Sequence, residues 1–276
     1  MRWDRGHNSS NIEDRRSEGG RGLGGGGGGG LPLGALLAVA GRFGWKGILV
    51  ALVVVGGLMY GGNLCNGSSA PSQQAVPSET RGAASDDEAK QFVGAVLDDA
   101  QKTWGESIPG YQDAKLVLFR NAIRSACGTA TSAVGPFYCQ LDHKVYIDLA
   151  FYDDLRSRFG APGDFAQAYV IAHEIGHHVQ NLRNLLGKDE ASSVKVELQA
   201  DCIAGAWAKS ANARGLLEVG DIDEALNAAS QIGDDTIQRK TQGRVQPETF
   251  THGSAAQRTA AFRKGYEGGL ADCGIR

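Results

Sequence analysis

Ala168-Tyr169-Val170-Ile171-Ala172-His173-Glu174-Ile175-Gly176-His177-His178-Val179-Gln180, followed by Val196-Glu197-Leu198-Gln199-Ala200-Asp201, is the part of this chain whose reading decides the fold. Phe165, Ala168, Tyr169 and Ile171 recur at helical spacing, and Asp164 before them is a predicted N-cap. The spacing predicts a helix over residues 164–186, ended by Gly187. On it His173 and His177 stand at i and i+4, so both imidazoles leave one face about one turn apart. Two nitrogens so placed reach one Zn2+ at about 2.0–2.1 Å each. Glu174, one residue on, flanks the metal's open position and can take a proton from water there as general base.

A catalytic zinc takes a third protein ligand and leaves its fourth position open. Glu197 and Asp201 are again i and i+4, on a second predicted helix over residues 190–214. Leu198, Ala200, Ile203, Ala204 and Trp207 make that helix a buried one, where stray carboxylates are costly. Glu197 is therefore the expected third ligand. Asp201 is expected to accept the other N–H of a ligating imidazole and fix its tautomer. His178 is rotated about 100° from His177 around the helix, cannot face the same ion, and reads as structural. His143 falls in the predicted turn and is expected at the surface.

Working outward, residues 86–104 read as an amphipathic helix. Lys115–Phe119 and residues 137–140 and 144–149 read as strands, the last two joined by the turn Leu141-Asp142-His143. Residues 153–159, 221–230 and 255–266 read as further helices. A small strand-rich half followed by a helical half gives the α+β class, with residues 86–276 as the one folded domain. The strand at 144–149 is the expected sheet edge for an extended peptide. Tyr146 and Tyr169 are candidate hydrogen-bond donors to it.

The remainder of the 276 residues reads differently. Residues 1–46 are charged and Gly-rich, with an unbroken glycine run at 24–30, and are expected to be a disordered head; His7 falls within it. Residues 47–64 carry no charge over a length at the lower end for a membrane-spanning helix. Residues 65–85 read as a Pro/Ser/Gly/Ala linker. Seven basic residues precede the apolar stretch (Arg2, Arg5, Arg15, Arg16, Arg21, Arg42 and Lys46), whereas only Arg81 and Lys90 follow it before Gln91. The expectation is a single-pass cell-membrane protein with a cytoplasmic N-terminus and an extracytoplasmic domain. Cleavage after Ser68-Ser69-Ala70 is the competing reading, opposed by Pro71.

Cys127, Cys139, Cys202 and Cys273 form an even set that an oxidising compartment lets pair. Three pairings are open; Cys127 with Cys139 is preferred as the local one, leaving Cys202 with Cys273. A net charge of −3 and the lack of a basic, aromatic-interleaved stripe give no footprint for nucleic acid, so none is expected as a partner.

HEIGH followed by E-x-x-x-D, with Glu197 twenty residues after His177, resembles the gluzincin class of zinc peptidases. AYVIAHEIGHHVQ…VELQADCIAGAW, KVYIDLAFYDDL and FTHGSAAQRTAAFRKGY resemble more closely the bacterial "putative neutral zinc metallopeptidase" family. The resemblance covers residues 85–273 and implies a zincin-like fold, two packed site helices and a peptide or protein substrate. Thr251-His252-Gly253 through Arg258 is similar to the T-H-P-x-x-x-x-R segment of membrane heat-shock zinc proteases, with Gly253 in place of proline. By that similarity His252 or Arg258 stabilises the oxyanion; the alternative is that His252 caps the following helix and Arg258 makes a structural ion pair. Two other functions fit the same residues: a zinc-binding envelope scaffold without turnover, and hydrolysis of cell-wall peptide amides.

Overall fold

The computed structural model describes residues 1–18, 79–186 and 190–275. A four-stranded sheet in the order β1-β2-β6-β5 lies against the helices: β1 is Ile12–Asp14, β2 Lys115–Phe119, β5 Phe137–Cys139 and β6 Lys144–Asp148. The first three run parallel and β5 runs antiparallel to β6. Alternation sorts the side chains between the two faces. Leu116, Leu118, Val145 and Ile147 join the main core with the helices. Val117, Phe119 and Tyr146 point the other way, under a hairpin of β3 (Ala122–Ser125) and β4 (Gly128–Thr131) that brings Ile123 and Ala130. Sequence reading missed this hairpin because Ala, Arg, Ser, Gly and Thr carry little apolar alternation.

The helices are α1 (Glu79–Ser107), α2 (Ala150–Ser157), α3 (Asp164–Leu182), α4 (Glu190–Ala213), α5 (Asp221–Gln231), α6 (Asp234–Gln242) and α7 (Ala255–Gly268). The α+β expectation stands, while several boundaries move. Helix α1 begins at Glu79, inside the stretch read as linker. Helix α3 is preceded by Gly163 as N-cap, with Asp164 in its first turn. It stops four residues short of the expected end because Asn184 takes the left-handed conformation (φ 55°), letting Leu185 N–H close back on the Gln180 carbonyl. The expected edge strand is also corrected: β6 is flanked by β2 and β5, so among the described residues the sheet edges are β1 and β5.

Glycine sets how closely the helices approach. A Cβ on Gly205 of α4 would lie 2.0 Å from the Phe262 carbonyl oxygen of α7, and one on Gly265 of α7 1.8 Å from that of Cys202. Both cysteine pairs close as preferred from the sequence, Cys127 with Cys139 and Cys202 with Cys273. The second bond joins the C-terminal segment to α4, the helix that carries Glu197 and Asp201.

The expectation of a disordered head fails for residues 1–18, which belong to the same compact unit as residues 79–275. Strand β1 pairs in register with β2, Ile12 opposite Leu116. The Met1 amino group lies 2.7 Å from Asp164 at the start of α3, and Trp3 packs edge-on against Phe92 of α1. His7, set aside in the sequence, bonds Asp98 at 2.8 Å. The basic residues counted as cytoplasmic retention charges are partly used within the domain: Arg16 meets Asp14 and Asp87, and Arg2 meets Glu218. The sequence hid this because polar contacts and three apolar anchors (Met1, Trp3, Ile12) leave no periodicity.

Strands of one sheet cannot lie across a bilayer from one another, so residues 1–18 share a side with the domain. That is at odds with a cytoplasmic head and an extracytoplasmic domain. The apolar stretch 47–64 lies outside the described residues; among those described, no helix is long and apolar enough to cross a membrane. Cysteines placed singly at exposed Ser10 and Ser157, in a Cys65→Ser background, should react alike with a membrane-impermeant thiol reagent on intact cells. Labelling of one position only would contradict the shared side.

Candidate metal centre

Helices α3 and α4 meet where the two sequence motifs lie. The contact passes through Gly176, where a Cβ would sit 3.0 Å from the Ala200 Cα, so only glycine lets the helices approach this closely without adjustment. That approach delivers Glu197 to the two imidazoles. His173 Nε2 lies 3.1 Å from Glu197 Oε2, and His177 Nε2 lies 3.3 Å from Oε1. The rings stand perpendicular with centroids 4.8 Å apart. Among the described residues, His173, His177 and Glu197 thus bring three ligand atoms within 4.8 Å of one another. Two Zn–N bonds of about 2.0–2.1 Å at a tetrahedral angle put their nitrogens roughly 3.3 Å apart, so the set fits one zinc ion.

Each imidazole is held from behind. His173 Nδ1 bonds Asp201 Oδ1 at 2.7 Å, the role expected of Asp201. His177 Nδ1 bonds Gln180 Oε1 at 2.8 Å. The Gln180 amide donates to the Val196 carbonyl and to Gln199, which fixes its orientation and leaves its oxygen to accept from the ring. Gln180 was missed in the sequence. Its signal was there, one turn after His177 on the ligand-bearing face. Both Nε2 atoms therefore face Glu197.

Asp201 of α4 is fully buried and takes bonds from two other helices, α3 and α7. It accepts from Tyr169 Oη at 2.5 Å and from Arg258 Nε and a terminal guanidinium nitrogen at 2.8 and 2.9 Å. Burial alone raises a carboxyl, but Arg258 and His173 outweigh it and hold Asp201 at about 2. Burial would lower His173, yet the Asp201 and Glu197 carboxylates lift it to about 10. Glu197 is in turn held well below the usual carboxylate range: burial opposes ionisation, and the two histidines prevail. The centre thus favours positive charge at its ring nitrogens, which a divalent cation supplies.

Glu174 is buried beside the ligands and lines a cleft of about 730 Å³ with them. Burial raises its carboxyl, partly offset by the neighbouring histidines. Arg258 also lines this cleft, with its guanidinium turned to other partners. It is 3 % exposed, and its nitrogens bond Asp201, Tyr169 and the Ile232 carbonyl. His252 lines the cleft and is half exposed. Asp234, the first residue of α6, accepts the backbone N–H groups of Thr251, His252 and Gly253 and faces His252 Nδ1 at 3.2 Å. Gly253 has φ +97°, which proline cannot adopt, so the departure from T-H-P follows from the backbone. Neither candidate tyrosine is a free donor: Tyr146 bonds Asp142 on the far face of the sheet, and Tyr169 bonds Asp201.

The family model described as "putative neutral zinc metallopeptidase" matches residues 1–275. The chain belongs to that family. The match spans the head as well as the domain, in keeping with their single fold. The Escherichia coli (strain K12) protein YpfJ, itself described as uncharacterized, is 43% identical over 98% of this chain and 96% of its own length. The Mycobacterium bovis protein Mb2605, also described as uncharacterized, is 45% identical over 60% of this chain and 63% of its own. No solved structure matches. The family name makes Zn2+ the expected metal, which agrees with the donor set of two imidazoles and a carboxylate.

Replacing Asp201 by Asn, or Gln180 by Leu, should weaken zinc binding about 10–100-fold in chelator competition, as loss of ligand-orienting partners does elsewhere. Arg258→Met should lower stability to denaturant by about 3–5 kcal/mol, because it leaves Asp201 buried with its charge uncompensated.

Proposed function

We propose that the chain is a zinc-dependent endopeptidase. The observation that carries this reading is the convergence of His173, His177 and Glu197 to one-ion spacing at a cleft that Glu174 also lines. Zinc bound there supplies a Lewis acid that acidifies water and polarises the substrate carbonyl. Glu174, raised by burial, takes the proton from the attacking water and passes it to the leaving amine. His252, held by Asp234 on the cleft wall, donates a hydrogen bond to the developing oxyanion. Arg258 and Tyr169 hold Asp201, which holds His173.

An extended peptide or protein segment is the substrate this cleft suits. Strand β5, whose outer edge no described strand pairs, lines it through Phe137 and Tyr138 and offers backbone groups for β-augmentation. Two disulfides speak for an extracytoplasmic site of action, on either a protein or a cell-wall peptide.

Glu174→Gln should retain zinc and lose at least about 100-fold in kcat on an unstructured peptide library. His252→Ala should lower kcat about 100-fold and leave zinc content unchanged. Zinc binding by the wild type without any peptide turnover would favour the scaffold reading instead.

A further inference from the structure

The proposed peptidase leaves His178 without a task, although its ring is completely buried and it directly follows a ligand residue. Its hydrogen bonds run in one direction. His178 Nε2 lies 2.6 Å from the Gln112 carbonyl oxygen, which can only accept, so Nε2 carries the proton. Nδ1 is then an acceptor, and the Tyr138 hydroxyl donates to it at 3.0 Å. The Tyr138 oxygen in turn accepts from the Asn181 amide at 2.9 Å. Asn181 and His178 are i and i+3 on α3, so one face of the metal-bearing helix grips the middle residue of β5.

Strand β5 needs such a grip. It has three residues, sits at a sheet edge and, among the described residues, pairs only with β6. Its neighbours in sequence point to the other face, where Phe137 stacks on Tyr146 and Cys139 is bonded to Cys127. A slip of one residue would exchange the faces, placing Tyr138 over the disulfide and a neighbour over α3. The disulfide on one face and the Tyr138 hydroxyl on the other therefore oppose the same slip. An edge strand that pairs with substrate fixes where the substrate backbone lies along the cleft, so its register relative to His177 sets which carbonyl meets the metal.

Resting on the peptidase reading, we propose that Tyr138, His178 and Asn181 form a latch that holds the substrate-binding edge strand in register with the metal helix. Tyr138 is a positioning residue within it. The latch acts only on substrates long enough to pair with β5. Peptides too short to reach the strand bind without it.

The test is Tyr138→Phe, which keeps the ring and removes the hydroxyl, assayed on an extended octapeptide and on a blocked dipeptide. Zinc content and circular dichroism are measured alongside. On the octapeptide KM should rise about tenfold with kcat within about twofold, the size expected for one hydrogen bond of restraint. Zinc content should stay at the wild-type value, and dipeptide kinetics should change by clearly less than octapeptide kinetics. Equal losses on both peptides would make the hydroxyl a general structural group, and no loss on either would make it idle; both overturn the latch. If Tyr138→Phe folds poorly, Asn181→Ala removes the other bond to the Tyr138 oxygen and should raise KM for the octapeptide alone. A zinc-loaded wild type that cleaves neither peptide would overturn the peptidase reading, and the latch with it.

Discussion

The carboxylate of Asp201 is the point on which three helices depend. It sits on α4 with no solvent contact, yet it is ionised, because Arg258 of α7 and Tyr169 and His173 of α3 all bond to it. A buried charge is tolerated only when its partners are held in place, so the charge fixes the mutual position of the three helices. The consequence reaches the metal centre directly. His173 Nδ1 is committed to Asp201, and its Nε2 is left facing Glu197.

The same geometry has a packing half. Gly176 lies between the two histidines of α3 and permits α4 to pass at a distance that a methyl group would disturb. The charged cluster sets direction and the glycine sets distance. The lone sequence letter between Ile175 and His177 thus bears on how far Glu197 can reach. Gly205 and Gly265 do the same between α4 and α7, and the Cys202–Cys273 bond closes that end.

Residues 1–18 change how the molecule is divided. They supply an edge strand, an aromatic contact with α1 and polar ties to α1 and to the start of α3. Arg2 and Arg16 act as ion-pair partners inside the domain. The folded unit is discontinuous in sequence, with residues 23–78 between its two parts.

The sequence by itself determined the local facts: the i, i+4 spacing of His173 with His177 and of Glu197 with Asp201, the helices carrying them, the α+β class and the preferred cysteine pairs. These were legible because helical periodicity and ligand chemistry act over a few residues. Asp201 was legible too, since a carboxylate on a buried helix needs a partner and one turn separates it from Glu197. Only the tertiary structure decided that Arg258 serves Asp201, that His252 faces the cleft, that Gln180 holds His177, and that β5 forms a sheet edge. It alone showed the head strand, whose few apolar residues leave no periodic trace. Apart from Gln180, one turn from His177, the deciding energy comes from groups distant in sequence: Arg258 lies 57 positions from Asp201, and Met1 lies 163 from Asp164. Neither pairing writes a local pattern, because burial and charge compensation are settled only where the chain folds back upon itself.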